Sequence, residues 1–156
     1  MKKTNAMRIL DQNKIEYEIV EYSEDGGISG QDVARQLGED EETVFKTLVT
    51  HSKNENFVFV VPVCDELDLK LAASVSGAKK IEMLKQSELL KTTGYIHGGC
   101  SPVGMKKLFK TYVDEAALEK DFIYVSGGKI GMQIKINPRD LEKLIGAEFV
   151  QIVRRD

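Results

Sequence analysis

The residues with the clearest capacity for chemistry lie in a glycine-rich segment, residues 94–104, with the sequence GYIHGGCSPVG. Glycine permits positive φ angles and lets a ligand approach the main chain closely. The pair Gly98 and Gly99, followed by Ser101 and Pro102, therefore indicates a shaped loop and not a passive linker. Backbone N–H groups in such a loop can hold a phosphate, a carboxylate or a developing oxyanion. The segment predicts an anion site and leaves open which of these anions it holds.

A lysine within an apolar strand is the second candidate. In residues 44–49, VFKTLV, alternation places Lys46 on one face with Val44 and Leu48. Such a lysine must reach solvent or meet a partner. It is either an edge-strand lysine that blocks aggregation or an ammonium group aimed into a pocket, where it meets a phosphate or carboxylate.

A cysteine and a histidine in the glycine-rich segment invite a nucleophile–base interpretation. Cys100 follows His97 by three residues, and a thiolate beside a base is a strong nucleophile. Cysteine is equally a small buried hydrophobe, and no Asp or Asn is marked out as a partner for His97. The chain has two Cys and two His without paired-ligand spacing, so we expect no metal site.

Phosphate-binding fingerprints for nucleotide cofactors are absent from the sequence. Residues 127–129, GGK, lie in a predicted hairpin turn and not between a strand and a helix, so they fail the context test for a phosphate loop. We therefore expect no cofactor. Tyr22 ends a predicted strand beside a glycine-rich turn, and is either a half-buried strand aromatic or a pocket wall with a hydroxyl group.

Helical and strand patterns alternate along the chain and must position these residues. Capping residues and glycine stops predict helices from Asn5 to about residue 13, from Ser29 or Gly30 to Gly38, over Asp68–Ser76, over Ser87–Thr92, and from Asn137-Pro138 to Gly146. Apolar patterns predict strands over Tyr17–Tyr22, Val44–Thr50, Phe57–Val63, Phe122–Val125, Ile130–Ile136 and Phe149–Val153. The second and third of these form a predicted antiparallel hairpin, and the fourth and fifth form another. Residues 57–61 are apolar on both faces, which indicates a central, buried strand. The order indicates an α+β fold with one curved mixed sheet surrounded by helices.

Composition limits the class of protein. With 156 residues, 42% hydrophobic and 30% charged, we expect one soluble domain over residues 1–156. No apolar run approaches the roughly 20 residues that span a bilayer, and no secretory signal follows the charged start. The two cysteines fit free thiols in a reducing cytoplasm. A net charge of −3 argues against coating nucleic acid by bulk charge, although lysine pairs such as Lys79-Lys80 and Lys106-Lys107 can form local basic patches or simply solvated surface.

Six blocks of this sequence, taken in order, resemble the YbaK/EbsC family of trans-editing proteins, which are related to the editing domain of bacterial prolyl-tRNA synthetases. The blocks are residues 44–48 (VFKTL), 67–70 (LDLK), 77–80 (GAKK), 93–102 (TGYIHGGCSP), 124–131 (YVSGGKIG) and 154–156 (RRD). The resemblance covers essentially the whole chain.

The resemblance implies a cytoplasmic aminoacyl-tRNA deacylase that removes cysteine wrongly attached to proline tRNA and can act on other cysteinyl-tRNAs. It implies a mixed sheet, partly closed like a barrel, with helices packed around it. The implied partners are the 3′ acceptor end of an aminoacyl-tRNA and prolyl-tRNA synthetase, with no membrane, metal or cofactor involved.

The resemblance also assigns roles to individual residues. Lys46 would contact the substrate near the tRNA 3′ end. Backbone N–H groups of the loop from Gly98 to Pro102 would hold the ester carbonyl. The catalytic set would then be Lys46, Gly98, Gly99 and Ser101, and the substrate-binding set Tyr22, Phe45, Pro102, Ser126 and Gly127.

The chemistry implied by the family needs no protein nucleophile. The cysteine thiol of the substrate attacks its own ester carbonyl, expels the tRNA and leaves a cyclic thiolactone. The protein has only to orient the substrate and stabilise the oxyanion. Two positions depart from the family pattern: Gln133 stands where an acid is common, and Cys100 stands where an apolar residue is usual. The departure at Gln133 puts an acid-dependent role in doubt, and the one at Cys100 favours a thiol that takes no part in catalysis.

Two other functions remain open on the sequence. One is a deacylase for a different small amino acid, such as alanine or serine, which would need an activated water and an evident base. The other is a non-catalytic module that binds tRNA or a synthetase. The intact Lys46 and the shaped loop favour the enzyme.

Overall fold

The structure, a computed structural model, describes residues 2–155. Met1 and Asp156, the two ends of the predicted domain, lie outside the described residues. The α-helices are Asn5–Gln12 (α1), Gly30–Leu37 (α2), Leu69–Ser76 (α3), Gln86–Thr93 (α4) and Pro138–Ile145 (α5). The strands are Tyr17–Glu21 (β1), Phe45–Ser52 (β2), Glu55–Pro62 (β3), Glu82–Met83 (β4), Lys110–Asp114 (β5), Ile123–Lys129 (β6), Met132–Ile136 (β7) and Glu148–Val150 (β8).

The strands form two sheets, which confirms the α+β class but corrects the expectation of one sheet. One sheet has the order β1-β7-β6 and the other β4-β2-β3-β5-β8. They meet where Val44 forms a parallel bridge with Tyr124 and the Tyr124 N–H donates to the Thr43 carbonyl at 2.9 Å. Because β6 pairs along its length with β7 and forms a bridge only with Val44, the residue just before β2, the strands of the described residues do not close a barrel.

The helix boundaries follow the capping signals in the sequence. Ser29, Asp68 and Asn137 each accept a backbone N–H with the side chain at the start of a helix, as predicted. The cap of α1 is Thr4 and not Asn5, because the Thr4 hydroxyl accepts the Met7 N–H.

The second hairpin differs from the prediction. The sequence predicts its turn at residues 126–129, but β6 continues to Lys129 and the turn falls at Gly131, which has φ +94°. The ladder shifts register between Ser126 and Lys129, and Gly128 adopts φ +97°. The glycines therefore form a bulge within the strand, which is a common use of positive φ.

The sheet interior confirms the position predicted for residues 57–63. β3 lies at the centre of the five-stranded sheet, and Val58, Val60 and Val61 are fully buried. It pairs antiparallel with β2 and parallel with β5, and β5 pairs parallel with β8. No helix of residues 2–155 has the length and apolar character needed to cross a membrane.

Candidate active site

A cavity of about 380 Å³ opens where the two sheets meet. Its walls come from the end of β1, the start of α2, the first half of β2, one residue of α4, the glycine-rich loop, and β6 with β7. The residues that line it are Tyr22, Ile28, Ser29, Gly30, Val33, Val44, Phe45, Lys46, Thr47, Leu48, Val63, Leu89, His97, Gly98, Cys100, Ser126 and Gln133. Its volume lies near the lower end of the range for small-molecule sites, about 300–1,000 Å³.

The structure brings five of the nine predicted site residues to this cavity and leaves four outside it. Tyr22, Phe45, Lys46, Gly98 and Ser126 line the cavity. The other four, Gly99, Ser101, Pro102 and Gly127, lie in the adjoining loop and strand but do not line it.

Lys46 lies on an open stretch of strand edge. β3 covers one side of β2 here, since Lys46 pairs with Val61, whereas β4 pairs only with Thr50 and His51 further along. Residues 44–48 all line the cavity, so the cavity runs along the uncovered edge. Within residues 2–155, no carboxylate lies within 4.0 Å of the Lys46 ammonium. The half-buried ammonium therefore faces a ligand-sized space without a protein counter-ion.

Three buried polar atoms that lack hydrogen-bond partners belong to this same cavity. They are the Tyr22 hydroxyl, the Thr47 hydroxyl and the Gln133 amide oxygen, none of which finds a partner within residues 2–155. All three residues line the cavity. A buried polar group without a partner costs about 1–3 kcal/mol, so its persistence points to a partner supplied by a ligand.

Two of these three residues were not predicted as binding residues. Thr47 follows Lys46 directly, and Gln133 was noted only as a departure from an acid. The sequence feature that could have identified both residues is a polar side chain in the middle of an apolar strand. Gln133 is only 6% exposed, and its oxygen is an acceptor that requires an N–H or O–H donor.

The glycine-rich loop closes one end of the cavity with a tight turn. The Gly99 N–H donates to the Ile96 carbonyl at 3.0 Å, and Gly98 adopts φ +87°, the geometry of a type II turn. A Cβ on Gly98 would lie 3.2 Å from the Ile28 side chain and 3.3 Å from that of Ile130. The Gly99 N–H is therefore committed to the turn, whereas the Gly98 N–H has no acceptor within residues 2–155.

The remaining loop residues support the turn from behind. The fully buried Ser101 accepts the Val103 N–H with its hydroxyl at 3.2 Å. Tyr95 donates to the Val103 carbonyl at 2.6 Å, and Pro102 lines a separate cavity of about 200 Å³. In β6, the Gly127 carbonyl accepts the Thr4 hydroxyl at 2.6 Å, which ties that strand to α1. These residues hold the cavity wall in shape without facing the cavity.

Cys100 lines the cavity as a neutral thiol. Burial raises its pKa to about 11, although a hydrogen bond from the Thr93 side chain opposes part of this shift. A thiol is a nucleophile only as its thiolate, and at neutral pH this group is protonated. His97 is exposed at the cavity mouth, and no hydrogen bond joins it to Cys100 in the described chain. The geometry gives no nucleophile–base pair.

Metal ligation has no support in the described residues. Within 2–155, no three His, Cys, Asp or Glu side chains come together as a metal site would need. Among the described residues, no Asp or Glu lines the cavity. Its polar character comes from one ammonium, hydroxyl and amide groups, and main-chain donors.

Comparison with known proteins agrees with this site. Residues 28–144 match the family model described as the aminoacyl-tRNA editing domain. The chain belongs to this family. The matched region contains every residue that lines the cavity except Tyr22.

One relative is similar over almost its full length. A protein of Enterococcus faecalis, named as a candidate Cys-tRNA(Pro)/Cys-tRNA(Cys) deacylase, EbsC, is 47% identical over 157 residues, which cover 99% of this chain and 95% of the relative. The resemblance inferred from six sequence blocks is thus confirmed.

Solved structures agree on the fold of this editing-domain protein. One, described as a candidate trans-editing enzyme for prolyl-tRNA synthetase, has a TM-score of 0.86 at 22% identity and covers 99% of this chain and 100% of its own. Another, described only as a hypothetical protein, has a TM-score of 0.89 at 20% identity and covers 97% and 100%. At these identities the likeness concerns the fold alone.

Proposed function

We propose that this protein is an aminoacyl-tRNA deacylase that removes cysteine from tRNA(Pro) and from other cysteinyl-tRNAs. The observation that carries the proposal is the cavity at the sheet junction. Within residues 2–155 it combines an unpaired ammonium with three unpartnered polar atoms and has no carboxylate or thiolate in its lining. Membership in the editing-domain family and the name of the 47% identical relative support the same activity.

Cysteine is the favoured amino acid because its thiol supplies the nucleophile that the cavity lacks. The substrate sulfur forms a bond to the ester carbonyl carbon, and the bond from that carbon to the tRNA 3′-terminal oxygen breaks. The thiol proton ends on the released tRNA hydroxyl, and the amino acid leaves as a four-membered thiolactone. No oxidant, metal or second substrate enters the balance.

The lining residues take separate parts in this reaction. The Gly98 N–H, free of any acceptor in residues 2–155, donates to the carbonyl oxygen as negative charge develops there. The Lys46 ammonium binds the terminal nucleotide of the tRNA, where oxygen atoms and a phosphate are within reach of a long side chain. Gln133 accepts a hydrogen bond from the substrate amino group, while Tyr22 and Ser126 shape the wall that folds the thiol toward the carbonyl.

Alanyl- or seryl-tRNA would require an activated water in place of the thiol. The lining groups that could take a proton are few, and none is a carboxylate. His97 lies at the exposed mouth and Cys100 is protonated, so neither is placed as a general base inside the cavity.

We propose the cytoplasm as the site of action and prolyl-tRNA synthetase as the protein that delivers mischarged tRNA.

The proposal is tested by incubating the purified protein with cysteinyl-, alanyl- and seryl-tRNA(Pro) and following the loss of each amino acid. Selective loss of cysteine is the expected result. Loss of alanine or serine but not cysteine would overturn the thiol mechanism while leaving the site in place. Turnover of none of the three would favour a module that binds tRNA or a synthetase without catalysis.

A further inference from the structure

The cavity is lined by two segments of opposite charge. Residues 15–34 supply five of its lining residues and contain six Asp or Glu and no Lys or Arg. Residues 85–110 supply four others and contain five lysines with a single acid, Glu88. The two segments meet at the cavity, since the Ile28 side chain lies against Gly98. A protein of net charge −3 thus carries five lysines in one of the segments that line its candidate site.

The lysines of the second segment are free of ion pairs. We call lysine surface the group formed by Lys85, Lys91, Lys106, Lys107 and Lys110. All five are exposed, and within residues 2–155 none lies within 4.0 Å of a carboxylate, whereas Lys3, Lys80, Lys120 and Lys135 each do. Exposed charges without ion pairs on an acidic protein are available to an anionic partner.

The fold gathers part of this surface at the end of α4. The Lys106 N–H donates to the Thr93 carbonyl at 2.9 Å, and its ammonium lies 3.4 Å from the Lys91 carbonyl. The Lys106 side chain lies against Gly94, because a Cβ added at Gly94 would lie only 3.2 Å from that side chain. The same helix supplies Leu89 to the cavity, and His97 follows three residues beyond Gly94. Lys91 and Lys106 therefore lie together at the end of the helix that supplies Leu89 to the cavity, while Lys107 and Leu108 line the separate cavity of about 200 Å³.

Exposed apolar side chains are concentrated on the same segment. The three most exposed large apolar side chains of residues 2–155 are Leu108 at 69%, Leu90 at 55% and Ile96 at 52%. Lysines interleaved with exposed apolar groups fit single-stranded nucleic acid, whose phosphates bind cations and whose unpaired bases offer apolar faces.

The cavity is too small to hold the whole 3′ end of a tRNA. At about 380 Å³ it holds an aminoacyl group with part of one nucleoside, so the preceding nucleotides must lie outside it. The rim formed by residues 15–34 repels phosphate through exposed acids such as Glu21, Glu24 and Asp25. We propose that the single-stranded 3′ end of the substrate tRNA leaves the cavity across the lysine surface, which binds its phosphates. This inference rests on the proposed function for the identity of the RNA.

The test is direct binding of an acceptor-stem RNA, which needs no catalysis. A fluorescent hairpin that ends in single-stranded CCA is titrated with wild-type protein and with Lys106→Glu/Lys107→Glu, and anisotropy gives Kd at several salt concentrations. For two lost contacts to single-stranded RNA, the slope of log Kd against log salt falls by about 1.4. We expect Kd at about 50 mM salt to rise by about tenfold or more.

A matched variant separates local contacts from bulk charge. Lys70→Glu/Lys79→Glu makes the same charge change at exposed lysines outside residues 85–110, and we expect it to bind the hairpin as the wild type does. Circular dichroism and thermal unfolding check that both variants fold. If Lys106→Glu destabilises α4, the double variant Lys106→Gln/Lys107→Gln is used in its place. It should show the same fall in the slope of log Kd against log salt.

Two results would overturn the inference. One is an equal loss of RNA binding in the two charge-matched variants, which would assign it to net charge. The other is a wild-type protein that does not bind the hairpin but binds prolyl-tRNA synthetase through Lys106 and Lys107, which would make the surface a protein interface. A wild-type protein without deacylase activity would contradict the proposed function alone, because the binding assay is independent of it.

Discussion

The Tyr124 N–H donates to the Thr43 carbonyl at 2.9 Å, and this bond joins the two sheets of the molecule. The next residue, Val44, forms a parallel bridge with Tyr124. From that point both strands run toward the cavity, which Lys46 and Ser126 reach two residues further along their strands. The sheet junction therefore places an ammonium from one sheet and a hydroxyl from the other on the walls of one cavity.

Replacing Lys46 should remove activity without unfolding the protein. Hydrogen bonds to charged groups contribute about 1.5–3 kcal/mol, so Lys46→Ala should lower kcat/KM for cysteinyl-tRNA about 10- to 100-fold. The side chain is half-buried and has no ion pair within residues 2–155, so thermal unfolding should change little. Lys70→Ala, at an exposed position of α3 away from the cavity lining, is the control and should keep full activity. Normal turnover by folded Lys46→Ala protein would remove Lys46 from the reaction.

Removing the unpartnered amide of Gln133 should separate stability from activity. Gln133→Leu deletes a buried acceptor that has no partner in residues 2–155, so the free energy of unfolding should stay level or rise by about 1 kcal/mol. Activity should fall about tenfold because a substrate contact is lost.

A buried hydroxyl that is already satisfied gives the matched control for Gln133. Thr50 donates to the Phe57 carbonyl at 2.8 Å, so Thr50→Val should cost about 1 kcal/mol of stability and leave activity intact. Denaturant unfolding and deacylation rates measure both effects. A Gln133→Leu protein that is destabilised yet fully active would contradict a binding role for the amide.

Gly98→Ala should damage both the loop and the reaction. Gly98 has φ +87° and lies between the Ile28 and Ile130 side chains, so alanine there is strained and crowded. Gly77 has φ +77°, but a Cβ added to it would meet nothing within 4 Å, so Gly77→Ala carries only the backbone cost of about 1 kcal/mol. We expect a larger loss of stability, and about a tenfold loss of activity or more, for Gly98→Ala alone. Equal effects of the two substitutions would show that the contacts of the loop do not matter.

Cys100→Ala should keep most of the deacylase activity, since the thiol is protonated at neutral pH and has no base beside it in the described chain. A collapse of activity to the uncatalysed rate would restore Cys100 as a nucleophile. Iodoacetamide labelling offers an independent measurement, because alkylation of Cys100 should accelerate only as pH approaches about 11.

The same burial makes stability fall at alkaline pH. The pKa of Cys100 rises from 9.0 to about 11 in the folded protein, and that of Tyr95 from 10.0 to about 12, both chiefly through burial. Between the unfolded and folded pKa of each group, the unfolded chain is already deprotonated while the folded protein keeps its proton. The contribution of these protonated groups to the free energy of unfolding is therefore complete below about pH 9 and is lost as pH rises through 11 to 12. Denaturant unfolding from about pH 8 to about pH 11 should show this fall, and Cys100→Ala should flatten it; an unchanged slope would contradict a buried thiol.

Local signals were enough to predict most elements of the fold. The caps at Ser29, Asp68 and Asn137 set helix starts that the structure confirms, because capping depends on neighbours in sequence. β5 and the two-residue β4 were missed, since their pairing comes from distant partners. The division into two sheets was missed for the same reason: no local pattern indicates that β6 forms a single bridge with Val44 and does not pair along β2.

Five of the site residues expected from the sequence line the cavity, and their roles stay predictions. Lys46 and Gly98 stand out because a lysine in an apolar strand and a Gly-Gly pair are anomalies in sequence, whereas Phe45 and Ser126 are expected from the family resemblance alone. Thr47 and Gln133 became visible only with the lack of hydrogen-bond partners, which depends on the tertiary structure. Gly99 and Ser101 belong to the same loop, but its folding commits one to the turn and buries the other behind it.

Attack by the substrate thiol is tested most sharply by comparing two nearly isosteric substrates, cysteinyl-tRNA(Pro) and 2-aminobutyryl-tRNA(Pro). They differ by a thiol in one and a methyl group in the other, so both should enter the cavity. We predict rapid release of cysteine, with 2-aminobutyrate released only at the rate seen without protein. Equal enzymatic release of both amino acids would contradict attack by the substrate thiol and would require a water activated by the protein.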